Sequence, residues 1–444
     1  MFRFAAFRPL RYNPDEISFI SRVVAPPYDV IDSQEARALR EQDPHNVIRL
    51  ILGREPEGGR PEGEYAAAAE CLNAWRRAGV LIRDEEPSIY ISEQTFTADD
   101  RQYVRTGILC ALLLQDYSSD GVLPHENTFS GPKMDRYRLI SACRAITSPV
   151  FGIFSDTDGQ ADALIAASTD GLPLYEFRDE ADVAHRIWRV QDPAVIGRLA
   201  GLLAGERLLI ADGHHRYETA LRYSREHRSA DGPPGTAPED FTILFAVSIG
   251  NSGLVSQPTH RLVKVGDSFD AGAFLEQLRE DFFVAEVAVR GPEGLLEAYR
   301  EAADEAGWIG VYLSPARFLK LRPILADPLA ASFPDQPAVW RALPVAILQN
   351  LLIEPLLSRP PAEAIRTGEL GFTQKPEQVY WRVEGGRSDV GFLLPPISTR
   401  TVEEVARAGA RMPQKSTYFW PKIPSGFVIY PHDDADCLPS LSPL

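Results

Sequence analysis

The stretch that most restricts the fold runs from Leu208 to Arg228, LLIADGHHRYETALRYSREHR. The apolar run Leu208-Leu209-Ile210-Ala211 has the length of a buried strand, and Asp212-Gly213 breaks it. Beyond the break, Ala220, Leu221 and Tyr223 recur at helical spacing, flanked by Glu218 and Glu226. A strand, a tight glycine turn and a helix in immediate succession predict helices packed on a sheet. The helix opens with His214, His215 and Arg216. Helix starts ordinarily favour acidic side chains, because free N–H groups already make that end positive. An anion held by backbone N–H groups and by the arginine is the simplest physical reason for the reversal. Two other readings stand beside it. The three side chains could cap and pair internally, or the histidines could hold a metal, although neighbours on one helical turn point in different directions.

Length and charge narrow the classes. The chain has 444 residues, which suits two or three domains. Its 44% hydrophobic and 24% charged content is that of a soluble globular protein. A net charge of -16 argues against a general nucleic-acid or acidic-membrane surface, since both need a basic face. Cys71, Cys110, Cys143 and Cys437 lack CxxC spacing, so neither a zinc cluster nor a disulfide framework is expected. No signal-peptide pattern and no membrane-length apolar run is visible, and a cytoplasmic location is the expectation.

Strand and helix patterns alternate along the chain. Helices are expected from Ser33 to about Glu41 behind an Asp32 cap, and over Tyr65–Ala78, Asp162–Thr169, Asp192–Leu203, Asp270–Asp281, Pro292–Ala306, Ala338–Leu356 and Thr399–Ala408. Strands are expected at Phe2–Phe7, Asn46–Leu52, Ser88–Thr97, Thr106–Leu114, Pro149–Ser155, Phe241–Ile249, Trp308–Tyr312, Gln378–Arg382, Val390–Leu394 and Phe427–Tyr430, with a hairpin around Ala98-Asp99-Asp100-Arg101. The fold class is α/β to α+β, with mixed sheets and flanking helices. Three regions are expected: 1–155, 156–265 and 266–444.

Four further motifs carry chemistry. His125-Glu126 is followed by Lys133, Asp135 and Arg136, a plausible acid/base and phosphate-contacting set; solvated surface charge is the alternative. Pro26-Pro27-Tyr28-Asp29 is rigid enough to place a side chain at a pocket wall, or is a plain turn. Met412 to Lys422, MPQKSTYFWPK, could close over a ligand with Lys415 at a phosphate, or pack as a tail. Thr259-His260-Arg261 sits at a strand edge.

In this order APPYDVI, HENT with PKMDR, ADGHHRYETAL, PTHRLV and MPQKSTYF resemble the family known as domain of unknown function 1015, over nearly the whole chain from Phe4 to about Tyr430. Members of that family are often encoded near serine-biosynthesis enzymes, which points to serine or phosphoserine metabolism. The segment Asp212-Gly213-His214-His215-Arg216 is also similar to the phosphate loop of the ParB/sulfiredoxin-like superfamily, whose free serine kinases carry a closely similar DGHHR. His214 stands where sulfiredoxin has its cysteine, so that activity is not expected, and no ParB-type DNA-binding region is visible.

The resemblance implies a nucleotide-dependent phosphotransferase acting on a small hydroxylated metabolite, serine being the first guess. Gly213, Arg216, Lys133, Arg136 and Lys415 would hold or neutralise phosphates. Glu126, His125, Asp212, His214 and His215 are the acid/base candidates. ATP or ADP with Mg2+ would be the cofactor, and no resident metal site is expected. A nucleotide-sensing regulatory protein without turnover and a phosphatase or hydrolase are the alternatives.

Overall fold

The computed structural model describes residues 1–53, 62–128, 130–228, 232–266, 268–303, 305, 307–357, 359–432 and 439–441. Cys437, named above, lies outside the described residues. By contacts the chain groups into two compact units. The first comprises Met1–Pro124, Thr128–Val255 and Phe419–Leu444; the second comprises His125–Asn127 and Ser256–Tyr418.

The first unit is built on a mixed sheet. Its strands run in the order Val122–Leu123, Leu208–Asp212, Val150–Phe154, Phe241–Ser248, Arg101–Leu113, Ile89–Ala98, Ala184–Val190, Tyr175–Arg178. Two neighbouring pairs are parallel and the rest antiparallel. Every residue of Phe241–Ser248 is buried, as expected of a strand covered on both faces. Gly107 permits this packing: a Cβ there would stand 2.5 Å from the Ala246 carbonyl oxygen on the neighbouring strand. The expected hairpin turns at Asp99 and Asp100, both in the left-handed region (φ 47 and 59), which suits the twist of a two-residue turn. Helices Glu62–Arg77, Ser130–Cys143, Pro193–Leu203 and His214–His227 belong to this unit, and Ser130–Cys143 packs on His214–His227.

The second unit has an antiparallel sheet in the order Phe282–Ala288, Arg317–Pro323, Ile309–Leu313, Val390–Leu393, His260–Val263, Leu370–Thr373. Trp308, Tyr312, Phe318 and Leu393 form its core with Leu295 and Val379 from two helices.

Three expected strands are corrected. Asn46–Leu52 contains the helix Ile48–Ile51, because the Asn46 side chain accepts from the Ile48 N–H (2.9 Å) and donates to Arg22 O (2.8 Å), starting a turn. Gln378–Arg382 lies in helix Pro376–Glu384, whose buried residues Pro376, Val379 and Val383 follow the helical period behind a proline in the first turn. Of Phe427–Tyr430 only Tyr430 is in a strand, continuing to Pro431 and pairing with Ala145–Ile146. Among the described residues no helix is long and apolar enough to cross a membrane.

Candidate functional site

Strand Leu208–Asp212 has a register shift between Ile210 and Asp212 against Val150–Phe154, a bulge that re-aims the strand end. Gly213 then takes φ 89 and starts helix His214–His227 with no side-chain cap and no acidic residue in the first turn. Glycine is required there twice over. The backbone is left-handed, and a Cβ would lie 3.0 Å from the guanidinium carbon of Arg216. The expected strand, turn and helix are therefore all present, with His214 and Arg216 buried in the helix start.

Arg216 folds back over the turn. Its Nη2 donates to Asp212 Oδ2 at 2.6 Å and its Nη1 to the Pro149 carbonyl. The other Asp212 oxygen, Oδ1, accepts from Lys422 Nζ at 3.0 Å. Arg105, fully buried behind the turn, also feels the Asp212 charge. Burial pushes the Arg105 guanidinium down to about 9, which leaves it cationic at neutral pH. Gln94 and the carbonyls of Trp420 and Pro421 accept from it, and it lies 4.9 Å from the centre of the Phe151 ring. Two basic side chains thus bond one carboxylate at an uncapped helix start, and a third, Arg105, feels its charge.

The PKMDR motif is helical, in the first turns of Ser130–Cys143. Lys133 Nζ donates to Glu218 Oε2 and to Thr128 Oγ1, each at 3.0 Å, bridging to the neighbouring helix. Arg136 donates to Ile51 O (2.7 Å) and to Asp135, and stands 3.9 Å over the Tyr28 ring. Burial holds the Tyr28 hydroxyl well above its usual range, opposed by the charges of Arg136 and Arg216. Tyr28, Arg136 and Arg216 line one cavity of about 30 Å³, with Thr147 and Ser148. Residues of three separate motifs therefore meet in the first unit.

His125, Glu126 and Lys415 belong to the second unit and form a cluster there. Glu126 Oε1 accepts from the Lys415 N–H at 2.7 Å, His125 Nε2 and Thr417 Oγ1 share a hydrogen bond of 2.9 Å, and His125 O accepts from Met412 N at 2.7 Å. In the first unit it is Lys422, at the other end of the MPQKSTYFWPK motif, that meets Asp212. The sequence names Lys422 only as the end of that motif, with no role of its own, and does not single out Arg105. The signal for Arg105 was a lone charge opening the uncharged run Thr106–Leu114 inside a strand.

Among the described residues no group of three or more His, Cys, Asp or Glu side chains could hold a metal ion. Both Asp212 oxygens are already engaged.

No curated protein matches the chain. Among solved structures, a conserved hypothetical protein from Pyrococcus furiosus is similar over 70% of this chain and 91% of its own, with 14% identity and a TM-score of 0.36. A free serine kinase mutant in complex with ADP is similar over 69% of this chain and 90% of its own, at 13% identity and TM-score 0.35. SbnI with C-terminal truncation from Staphylococcus aureus covers 68% of this chain and 82% of its own, at 12% identity and TM-score 0.33. A family model described as "Protein of unknown function (DUF1015)" matches residues 4–346, and the chain belongs to that family.

Proposed function

We propose that the first unit binds nucleotide phosphates at the Gly213 turn, and that the chain is a nucleotide-dependent phosphotransferase acting on a small hydroxylated metabolite. The observation that carries this reading is the pair of cations that meet one carboxylate, Asp212, at a helix start that no side chain caps: Arg216 and Lys422 bond it, and buried Arg105 feels its charge. Phosphoryl transfer asks a protein chiefly for charge neutralisation and positioning. The cavity beside Tyr28, at about 30 Å³, has room for about two water molecules, so a nucleotide would lie outside it, on the turn. Arg216 and Lys422 would neutralise phosphate oxygens, with Lys133 and Arg136 behind them. Asp212 would orient or deprotonate the acceptor hydroxyl. Serine is the first acceptor to test, because the DGHHR segment resembles that of free serine kinases.

The internal pairing of Arg216 with Asp212 and Pro149 favours a second reading, in which the turn is a structural lock. One experiment separates the two. Purified protein is given ATP or ADP with L-serine, and AMP, ADP and phosphoserine are measured; nucleotide affinity is measured for the wild type and Arg216→Ala. The proposal expects turnover and an affinity at least several-fold weaker in the variant, since a charge-assisted contact is lost. Tight binding without turnover would leave a nucleotide sensor. Unchanged affinity in Arg216→Ala would leave the structural lock.

A further inference from the structure

The sheet of the second unit ends on a strand whose outer edge pairs with no other strand among the described residues. Phe282–Ala288 is that strand, and it is joined only to Arg317–Pro323. An outer strand presents a row of unanswered N–H and C=O groups, and proteins ordinarily blunt it with few residues, a proline, a lysine or a bulge. The first unit's sheet follows that rule, ending on two residues at Val122–Leu123 and four at Tyr175–Arg178. Phe282–Ala288 does not. It runs for seven residues, FFVAEVA, without proline or lysine, and keeps one register against its neighbour over its whole length.

The exposed part of this strand is largely apolar. Phe283 is 63% exposed, and Ala285 and Ala288 are exposed as well. Phe283 pairs with Arg322, and the ladder continues through a bond from the Ile324 N–H to the Asp281 carbonyl (2.9 Å). Phe283 and Ile324 are therefore diagonal neighbours on one face, and Ile324 is 45% exposed. The single charge of the strand, Glu286, is answered within the chain by Arg317, at 2.8 and 3.2 Å.

The charges at the two ends of the strand select the occupant. Glu280 and Asp281 precede it and Arg290 follows it, all three exposed, and among the described residues none of the three is ion-paired. Acid before and base after is complementary to itself when a copy runs antiparallel. Pairing about Ala285 sets Phe283 opposite Val287 of the second copy, and Val284 opposite Glu286. It also brings Arg290 of each copy to Glu280 and Asp281 of the other. A parallel copy would set like charges side by side, and pairing about Glu286 would oppose two glutamates. We propose that Phe282–Ala288 docks a second copy of this chain, antiparallel about Ala285, so that two six-stranded sheets become one. This surface does not rest on the nucleotide reading, because all its residues belong to the second unit.

Sedimentation velocity of the full chain over a concentration series tests it, and a shift from one copy to two is expected as concentration rises. Ala285→Lys, which opposes two cations at an exposed position, should weaken association by about tenfold or more while the far-ultraviolet circular dichroism stays that of wild type. Arg290→Glu should weaken it similarly, and adding Glu280→Arg and Asp281→Arg should restore it to within about threefold. Register is read by oxidation: Ala285→Cys faces its own copy and should cross-link faster than Phe283→Cys, each compared with wild type. A chain that stays monomeric at every concentration overturns the proposal and leaves the edge to a different partner. Association unchanged in Ala285→Lys overturns it equally, as does cross-linking of Ala285→Cys no faster than that of Phe283→Cys.

Discussion

Replacing Gly213 with alanine tests the geometry of the turn against a matched control within the same unit. Gly213 and Gly159 each precede a helix in the left-handed region, at φ 89 and 70. Alanine at either position costs about 1–2 kcal/mol for the backbone alone. At Gly159 nothing lies within 4 Å of the added methyl, so the cost ends there. At Gly213 the methyl would meet three guanidinium atoms of Arg216 at 3.0–3.1 Å. Arg216 must then give by a few tenths of an ångström, which strains its bonds to Asp212 and the Pro149 carbonyl and adds up to about 1.5–3 kcal/mol, the worth of hydrogen bonds to a charged, buried group. The two variants should therefore differ by about 2 kcal/mol in equilibrium urea unfolding, read on the transition of the first unit. In an Arg216→Ala background the obstruction is gone, and Gly213→Ala should cost no more than Gly159→Ala. Equal costs in the wild-type background would refute the claim that the glycine makes room for the guanidinium.

Three further outcomes follow from the same geometry. Asp212→Asn should keep nucleotide binding, because Arg216 and Lys422 are released rather than lost, while turnover falls by about 10²-fold or more; single-turnover phosphoserine formation checks this. Arg105→Met should destabilise by about 3 kcal/mol or more, because Gln94 and the carbonyls of Trp420 and Pro421 lose a buried donor; a thermal midpoint equal to wild type would contradict it. Burial pushes His260 down to about 3 from 6.5, so the folded chain keeps it neutral where the unfolded chain protonates it. Its contribution is full above pH 6.5 and is lost as pH falls towards 3, amounting to about 2 kcal/mol at pH 5. Comparing urea unfolding at pH 7.5 and 5.0, His260→Asn should show a correspondingly smaller loss than wild type.

Much of the scaffold is legible in the linear chain because its signals are local. Asp32 and Asp192 cap the helices expected behind them, and the Asp99-Asp100 turn closes the expected hairpin. The misreadings share a cause in which side chains outside the apolar pattern decide. Asn46 initiates a helix through its amide, and Pro376 starts one where a short apolar run resembles a strand. The motifs were visible, but their partners were not. Nothing local says that Phe419 to Leu444 returns to the first unit, so Lys422 could not be matched with Asp212, which precedes it by more than two hundred residues. Nor could His125 and Glu126 be placed beside Lys415.

The helix start also changes the form of the charge argument. From sequence, an anion is the simplest reason for three basic side chains at a positive helix end, beside internal pairing or a metal. In the fold Arg216 is already answered by Asp212, so an arginine at the helix start no longer implies a ligand by itself. The demand reappears one step away. Asp212 carries one negative charge and is shared by Arg216 and Lys422 with Arg105 behind it, so these four groups together retain two positive charges. Arg216 and Lys422 are only about 10% exposed, so water offsets little of that surplus. A phosphate oxygen at the turn would be drawn to the surplus, and Asp212 would set the geometry of the cations that meet it. In that arrangement the carboxylate organises the site instead of cancelling it. Asp212→Asn and Arg216→Ala should consequently diverge, the first sparing nucleotide affinity and the second lowering it. A parallel loss of affinity in both would show that Asp212 and Arg216 act only as a structural pair.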